Sequence, residues 1–197
     1  LFIEESRKYL DNVVDTAARY KTRPYLYRLD GYTVIGNSYV AAVFRTSNNE
    51  LAGIVDLCNG GRVCAYGNGP LWKITLADSE KKPAGFSSWE ATTGLIETDS
   101  IEAKKTSYQI NRGLKKVQLV LKWEDISTEE EEDIISAKAV ISVETDSPYI
   151  KWKIDINNKS NKRGVWQADF PRFESILPPG DAEHTGLFLP WGQGRVV

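Results

Sequence analysis

AKAVISVETDSPYIKWKIDINNKSNKRGVWQADFPRF, residues 137–173, is the stretch whose reading decides the fold. Ile141 and Val143 alternate with Ser142 and Glu144, and Thr145-Asp146-Ser147-Pro148 then supplies turn chemistry. In residues 149–156, Ile150, Trp152, Ile154 and Ile156 fall on one face of an extended chain, with Lys151, Lys153 and Asp155 on the other. A pattern of period two belongs to an antiparallel strand with one side on a core and one in water. Trp152 and Ile154 are therefore expected to point inward. The polar run 157–163 and Gly164 predict a second turn. Beyond it, Val165, Gln167 and Asp169 interleave with Trp166, Ala168 and Phe170 in a third strand. Pro171 has no amide proton to donate, so this strand should stop there or lie at an edge. Together the three predict a β-meander.

Strand signals continue upstream. Residues 25–29 and 32–35 flank Asp30-Gly31, a hairpin connection. YVAAVFR (39–45) and LAGIVDL (51–57) flank the polar Ser47-Asn48-Asn49-Glu50, and Cys58-Asn59-Gly60-Gly61-Arg62-Val63-Cys64 reads as the next turn. LWKITL (71–76) alternates, and 78–85 is a charged loop. Residues 101–110 and 114–123 flank Asn111-Arg112-Gly113, and 134–144 leads into the meander. About a dozen short strands separated by turn signals predict a mainly β fold, a large antiparallel β-sandwich over residues 24–197. The first twenty residues carry the helix signal. Leu10, Val13, Val14, Ala17 and Ala18 recur at helical spacing, Glu4 and Glu5 precede them, Arg19 and Lys21 follow, and Thr22-Arg23-Pro24 stops the run. Residues 1–23 are thus expected to form a packing or linker helix.

The chain has 197 residues, 41% hydrophobic and 26% charged, with net charge −2. These values describe an ordinary globular protein. The near-neutral balance argues against a nucleic-acid binder, which would show a basic surplus. No apolar run approaches the roughly 20 residues of a membrane-spanning helix, so no membrane partner is expected. Methionine is absent, and the sequence opens at Leu1 and closes on Arg195-Val196-Val197 within apolar sequence. A trimmed piece of a longer polypeptide, with the sandwich cut at its C-terminal end, accounts for both ends.

Candidate chemistry is sparse. Cys58 and Cys64 flank a tight turn and could meet across a hairpin as a disulfide, which would imply an oxidising compartment; the alternative is two half-buried thiols. His184 is the single histidine and neither cysteine has further soft ligands nearby, so no metal site is expected, and no cofactor. The acidic run Glu129-Glu130-Glu131-Glu132-Asp133 lacks the alternation and glycine of a calcium loop and reads as a solvated hairpin tip. Gly192-Gln193-Gly194-Arg195 lacks the Lys-Ser/Thr ending of a phosphate loop. Ser107 and Ser175 have no glycine elbow. Carboxylate pairs are available among 27 acids, most of them in turns or on the wet faces of strands. Of the six tryptophans, Trp123, Trp152 and Trp166 read as core, whereas Trp89 and Trp191 lie in loops beside polar residues. Indole faces next to hydrogen-bonding groups suit sugar rings. The segment 187–195, LFLPWGQGR, is the best such cluster, and a hydrophobic strand entering a glycine turn is its plainer reading. Trp191, Gln193, Arg195 and the nearby His184 are the candidate ligand-binding residues.

The run 39–63, the LWKITL strand, WKIDINNKSNKRGVWQADFPRF and LPWGQG resemble the galactose-mutarotase-like β-supersandwich that forms the N-terminal domain of large bacterial glycoside hydrolases. The similarity spans roughly residues 32–195, and its motifs are fold-determining rather than catalytic. It implies a carbohydrate-active parent protein, secreted, periplasmic or at the cell surface, whose downstream catalytic domain is this domain's partner, with carbohydrate as a ligand. Sugar mutarotases of this fold use two histidines and a glutamate, and this sequence has one histidine. The resemblance therefore implies an accessory domain. A stand-alone aldose epimerase-like enzyme and a non-catalytic carbohydrate-binding or adhesion module are the alternatives.

Overall fold

The turn spacing between residues 25 and 66 builds a sheet strand by strand. In the computed structural model, which describes residues 2–21, 23–78, 95–177, 190–191 and 195–196, β1 (Tyr25–Leu29), β2 (Tyr32–Gly36), β3 (Val40–Arg45), β4 (Leu51–Asp56) and β5 (Arg62–Tyr66) pair antiparallel in chain order. Leu29 sits opposite Tyr32, so Asp30-Gly31 is a two-residue connection, with Gly31 at φ +75° where a side chain would be strained. β6 (Lys73–Asp78) and β7 (Ile96–Asp99) follow. A 3-10 turn over Ser100–Glu102 then occupies the start of the span expected to be strand. β8 (Lys105–Arg112), β9 (Lys116–Ile126), β10 (Ile135–Glu144) and β11 (Ile150–Asn158) form a four-stranded antiparallel sheet in the order β11-β10-β9-β8. β12 (Arg163–Asp169), β13 (Ser175–Ile176), β14 (Pro190–Trp191) and β15 (Arg195–Val196) complete the strands. The chain is mainly β, an antiparallel sandwich with a helical N-terminus.

The meander read from residues 137–173 is half right. β9, β10 and β11 are consecutive neighbours, but β12 leaves that sheet and pairs with β6 in a three-stranded sheet of order β12-β6-β7. The connector explains the departure. Lys159 N donates to Ile134 O, Ser160 Oγ donates to Glu131, and the Arg163 guanidinium pairs with Glu130. These bonds carry the chain across the β9–β10 turn to the other layer. There β6, whose Ile74 and Leu76 are buried, needs backbone partners on both sides. As an edge strand ending before Pro171, β12 meets the expectation for proline. Trp166, expected in the core, lies at a register shift on this edge and is 51% exposed.

Period two puts alternate residues of the six-stranded sheet on two different cores. Leu26, Ile35, Ala42, Phe44 and Leu51 face the four-stranded sheet, where Val117, Leu119, Leu121, Trp123, Ala139 and Ile141 meet them. The intervening Tyr25, Tyr32, Val34, Ala41, Val43, Ala52 and Val55 face Tyr9, Val13 and Ala17 of the helical segment. Both faces are covered, which is why YVAAVFR and LAGIVDL read as near-continuous apolar runs. The inward face of β11 is as expected: Ile150, Trp152, Ile154 and Ile156 pack on the core and alternate with exposed neighbours. Trp152 is only half-buried. Its ring closes the sandwich margin against Phe44, Phe170 and Phe173 at centroid distances of 5.9, 6.0 and 6.4 Å. Asn37, fully buried, staples the sheet ends. Its Nδ2 donates to Glu144 O and Ser147 O, and its Oδ1 accepts from Tyr39 N and Val40 N.

The helix is two pieces, Phe2–Arg7 and Leu10–Tyr20, joined by a tight turn in which Lys8 N and Tyr9 N reach back three residues to Glu5 O and Ser6 O. Its seat on the sheet depends on two glycines. A Cβ on Gly53 would stand 2.5 Å from the Tyr9 hydroxyl, and one on Gly61 2.3 Å from Val14 Cγ2. Gly61 has φ +77° and Gly60 has φ +82°, but a Cβ on Gly60 would meet nothing within 4 Å. Gly60→Ala therefore reports backbone strain alone, whereas Gly61→Ala adds the collision with the helix. The expected result is a loss of about 1 kcal/mol for Gly60→Ala and about 2–4 kcal/mol for Gly61→Ala, measured by urea unfolding. Equal losses would show that the helix does not rest on this turn.

Candidate functional site

Two surface features bring chemistry-bearing side chains together, and they lie on different sheets. The first is an apolar groove of about 460 Å3 lined by Tyr39, Val40, Pro148, Phe173, Ile176 and Leu177, with both cysteines at its wall. Register explains the cysteine positions. Asp56 pairs with Arg62, Val55 with Val63 and Ile54 with Ala65, so Cys64 is the extra residue of a bulge and Cys58 lies in the turn. The two are not cross-strand neighbours. Cys58 Sγ donates to Tyr39 O on the β3 side, and Cys64 Sγ donates to Ile54 O on β4. Both are free thiols. Burial, and after it the Asp56 carboxylate, pushes the Cys64 thiol up from its ordinary value, which keeps it protonated and unreactive. Asp56 is occupied in holding the turn, accepting from Cys58 N and Asn59 Nδ2.

The second feature is a polar hollow of about 350 Å3 on the outer face of the four-stranded sheet, between β9, β10 and β11. Ile135 pairs with Ile126 and Ala137 with Trp123, so β9 carries one extra residue around Glu124-Asp125, and Asp125 takes φ +57°. A bulge bends its strand, and here it dishes the sheet. Lys122, Glu124, Ser136, Lys138, Asp155 and Asn157 stand around the depression. Asp155 accepts from Lys153 at 2.8 Å, and that bond, with the charges of Lys153 and Lys138, holds its carboxyl below the ordinary range.

The residues singled out in the sequence are placed unevenly. Trp191 pairs antiparallel with Arg195 and Pro190 with Val196. Gln193, His184 and Trp89 lie outside the described residues, as does most of the charged loop expected at 78–85. The acidic run forms the β9–β10 turn. Glu130 pairs with Arg163 at 3.0 Å, and Asp133 accepts from Lys104 Nζ at 2.8 Å and from Ser127 Oγ at 3.3 Å. Among the described residues no group of three or more His, Cys, Asp or Glu side chains converges as metal ligands do. Ser107 lies on β8 and Ser175 on β13, apart from each other in the fold. Among the described residues no helix is long and apolar enough to cross a membrane. The polar hollow was not anticipated from sequence. Its one sequence signal is the alternation of lysines along β9–β11, which reads equally as a solvated face.

No protein-family model matches the chain, and no curated protein matches it.

Proposed function

We propose that this chain is an accessory β-sandwich domain of a multidomain carbohydrate-active glycoside hydrolase, one that rests against a downstream catalytic domain and shapes its substrate cleft. The observation that carries the reading is the apolar groove at the end of the six-stranded sheet. Pro148, Phe173 and Leu177 line it, and Ile176 beside them is 63% exposed. Among the described residues nothing covers this apolar surface, and contiguous apolar surface of this kind is characteristic of interfaces, including those between domains of one chain. The acids of the described residues point the same way. Glycoside hydrolysis needs two carboxyl groups facing each other across a cleft. Here Glu130, Asp133, Glu144 and Asp155 are each taken up by an arginine or lysine in turns and on outer faces, and Glu5 of the first helix by Arg45.

The test is to incubate the 197-residue chain with a panel of aryl glycosides and to follow anomer exchange of free hexoses by NMR. Neither hydrolysis nor accelerated exchange is expected. Turnover abolished by His184→Ala, or by one carboxylate substitution, would overturn the accessory reading in favour of an epimerase or hydrolase.

A further inference from the structure

The outer face of the four-stranded sheet has a charge balance unlike that of the protein as a whole. In a chain of net charge −2, the register places six lysines and three carboxylates on this one face. Most are matched. Glu144 takes Lys151 at 2.8 Å and Lys116 at 3.6 Å, and Asp155 takes Lys153. Glu124 stands opposite Lys105. Lys138 has Asp155 opposite it on β11 and contributes to holding that carboxyl low, but the Asp155 hydrogen bond goes to Lys153, which leaves Lys122 and Lys138 without a close ion pair among the described residues. They are direct cross-strand partners, both at the rim of the polar hollow, and no carboxylate among the described residues reaches salt-bridge distance of either. Like charges placed directly opposite each other on a sheet are destabilising. Such a pair at a concavity is a place where an anion would be stabilised by both.

The rest of the rim defines what the anion is attached to. Ser136 offers a hydroxyl and Asn157 a carboxamide, groups that both donate and accept, and the carboxylates of Glu124 and Asp155 accept. Acceptors beside a cationic pair would repel a bare polyanion, but they match a ligand that carries hydroxyl donors next to its negative charge. The volume of about 350 Å3 lies at the lower end of the range for small-molecule sites. We infer that the hollow around Lys122 and Lys138 binds an acidic saccharide, the lysine pair taking the carboxylate of a uronic acid unit and the surrounding acids, Ser136 and Asn157 taking its ring hydroxyls. This rests on the carbohydrate reading above and assigns its ligand class at a site distinct from Trp191. The two claims fail separately, because turnover by the isolated chain would remove the accessory role and leave this site standing.

The experiment titrates the isotope-labelled chain with trigalacturonate, with the neutral trisaccharide maltotriose and with inorganic phosphate, at constant salt. Trigalacturonate is expected to shift the amides of residues 122–124, 136–138 and 155–157 saturably. Lys122→Gln/Lys138→Gln should weaken that binding about tenfold or more, since charge-assisted bonds are lost. The same variant should melt close to the parent chain, because the Lys122–Lys138 repulsion it removes offsets the loss of the Lys138 charge opposite Asp155. Three results would overturn the inference: maltotriose binding as tightly as trigalacturonate, phosphate shifting the same amides at equal or lower concentration, or trigalacturonate shifts confined to other strands.

Discussion

Trp123→Ala is expected to cost about 3–5 kcal/mol, the range for deleting a fully buried large aromatic side chain. Trp123 on β9 and Trp72 just before β6 are both 0% exposed and meet edge-to-face, with centroids 5.9 Å apart and planes at 85°. The pair joins the four-stranded sheet to the three-stranded one at the centre of the larger core. A chain of this size shifts its melting temperature by roughly 2–4 °C per kcal/mol, so the loss should appear as roughly 6–20 °C. Trp72→Ala should behave alike. The double variant should fall short of the sum of the two by about 1 kcal/mol, because the first truncation already removes the ring contact. Trp166→Ala is the control: at 51% exposure it should stay within about 0.5 kcal/mol of the parent. A Trp123→Ala midpoint within error of the parent would show that the two sheets do not meet through this pair.

Arg45→Leu is the second large effect, expected near 3 kcal/mol. The Arg45 guanidinium grips Glu5 of the first helix with two bonds of 2.8 Å, and donates to Leu51 O at 2.9 Å and Gly67 O at 3.1 Å. Glu50 lies 3.8 Å away with a side chain only 10% exposed. Burial works against the arginine's charge, but the bonds to Glu5 and the charges of Glu5 and Glu50 outweigh it and keep it cationic. Leucine would leave Glu50 without a cation in a site whose burial already raises its carboxyl. For an acid raised on folding, the folded state holds more protons than the unfolded state. Its cost is therefore absent at low pH and develops as pH rises through the ordinary carboxylate range towards the folded value. The Arg45→Leu deficit should accordingly be largest near neutrality and should narrow as pH falls through that range, measured by denaturant unfolding at pH 7 and pH 4. A deficit unchanged between pH 7 and pH 4 would mean that the arginine acts through its bonds to the Leu51 and Gly67 carbonyls and not through the glutamates.

The local alternation of side chains was readable without coordinates. Residues 25–66 and 116–158 follow the 2-residue period closely enough that the order of the strands and the inward face of β11 emerge from side-chain order, although Arg62–Cys64, expected in a turn, open β5, and β9 runs on past Trp123 to Ile126. The reason is that each pairing there is between neighbours in sequence, so turn chemistry and alternation act together. The helix was legible for the same reason, as a local 3.6-residue pattern, although its break at Lys8-Tyr9 was not.

What only the tertiary structure decided are the choices between equivalent local patterns. β12 alternates as a third meander strand would, yet it joins β6 across more than eighty residues of sequence because the connector bonds to the β9–β10 turn. Trp123 and Trp166 look alike in sequence, and their exposures of 0% and 51% follow from one lying mid-sheet and the other at an edge bulge. The Cys58–Cys64 spacing looks symmetric about a turn, but the turn closes with Arg62 facing Asp56, Cys64 falls in the bulge beyond Val63, and the thiols bond to different strands. The facing of Lys122 and Lys138 likewise depends on the register of β9 against β10, set by the packing of Leu119, Leu121, Ala139 and Ile141 on the opposite face. A strand's own sequence says which residues share a face. Which strand it pairs with, and what then stands opposite each residue, is determined by how the buried faces fit together.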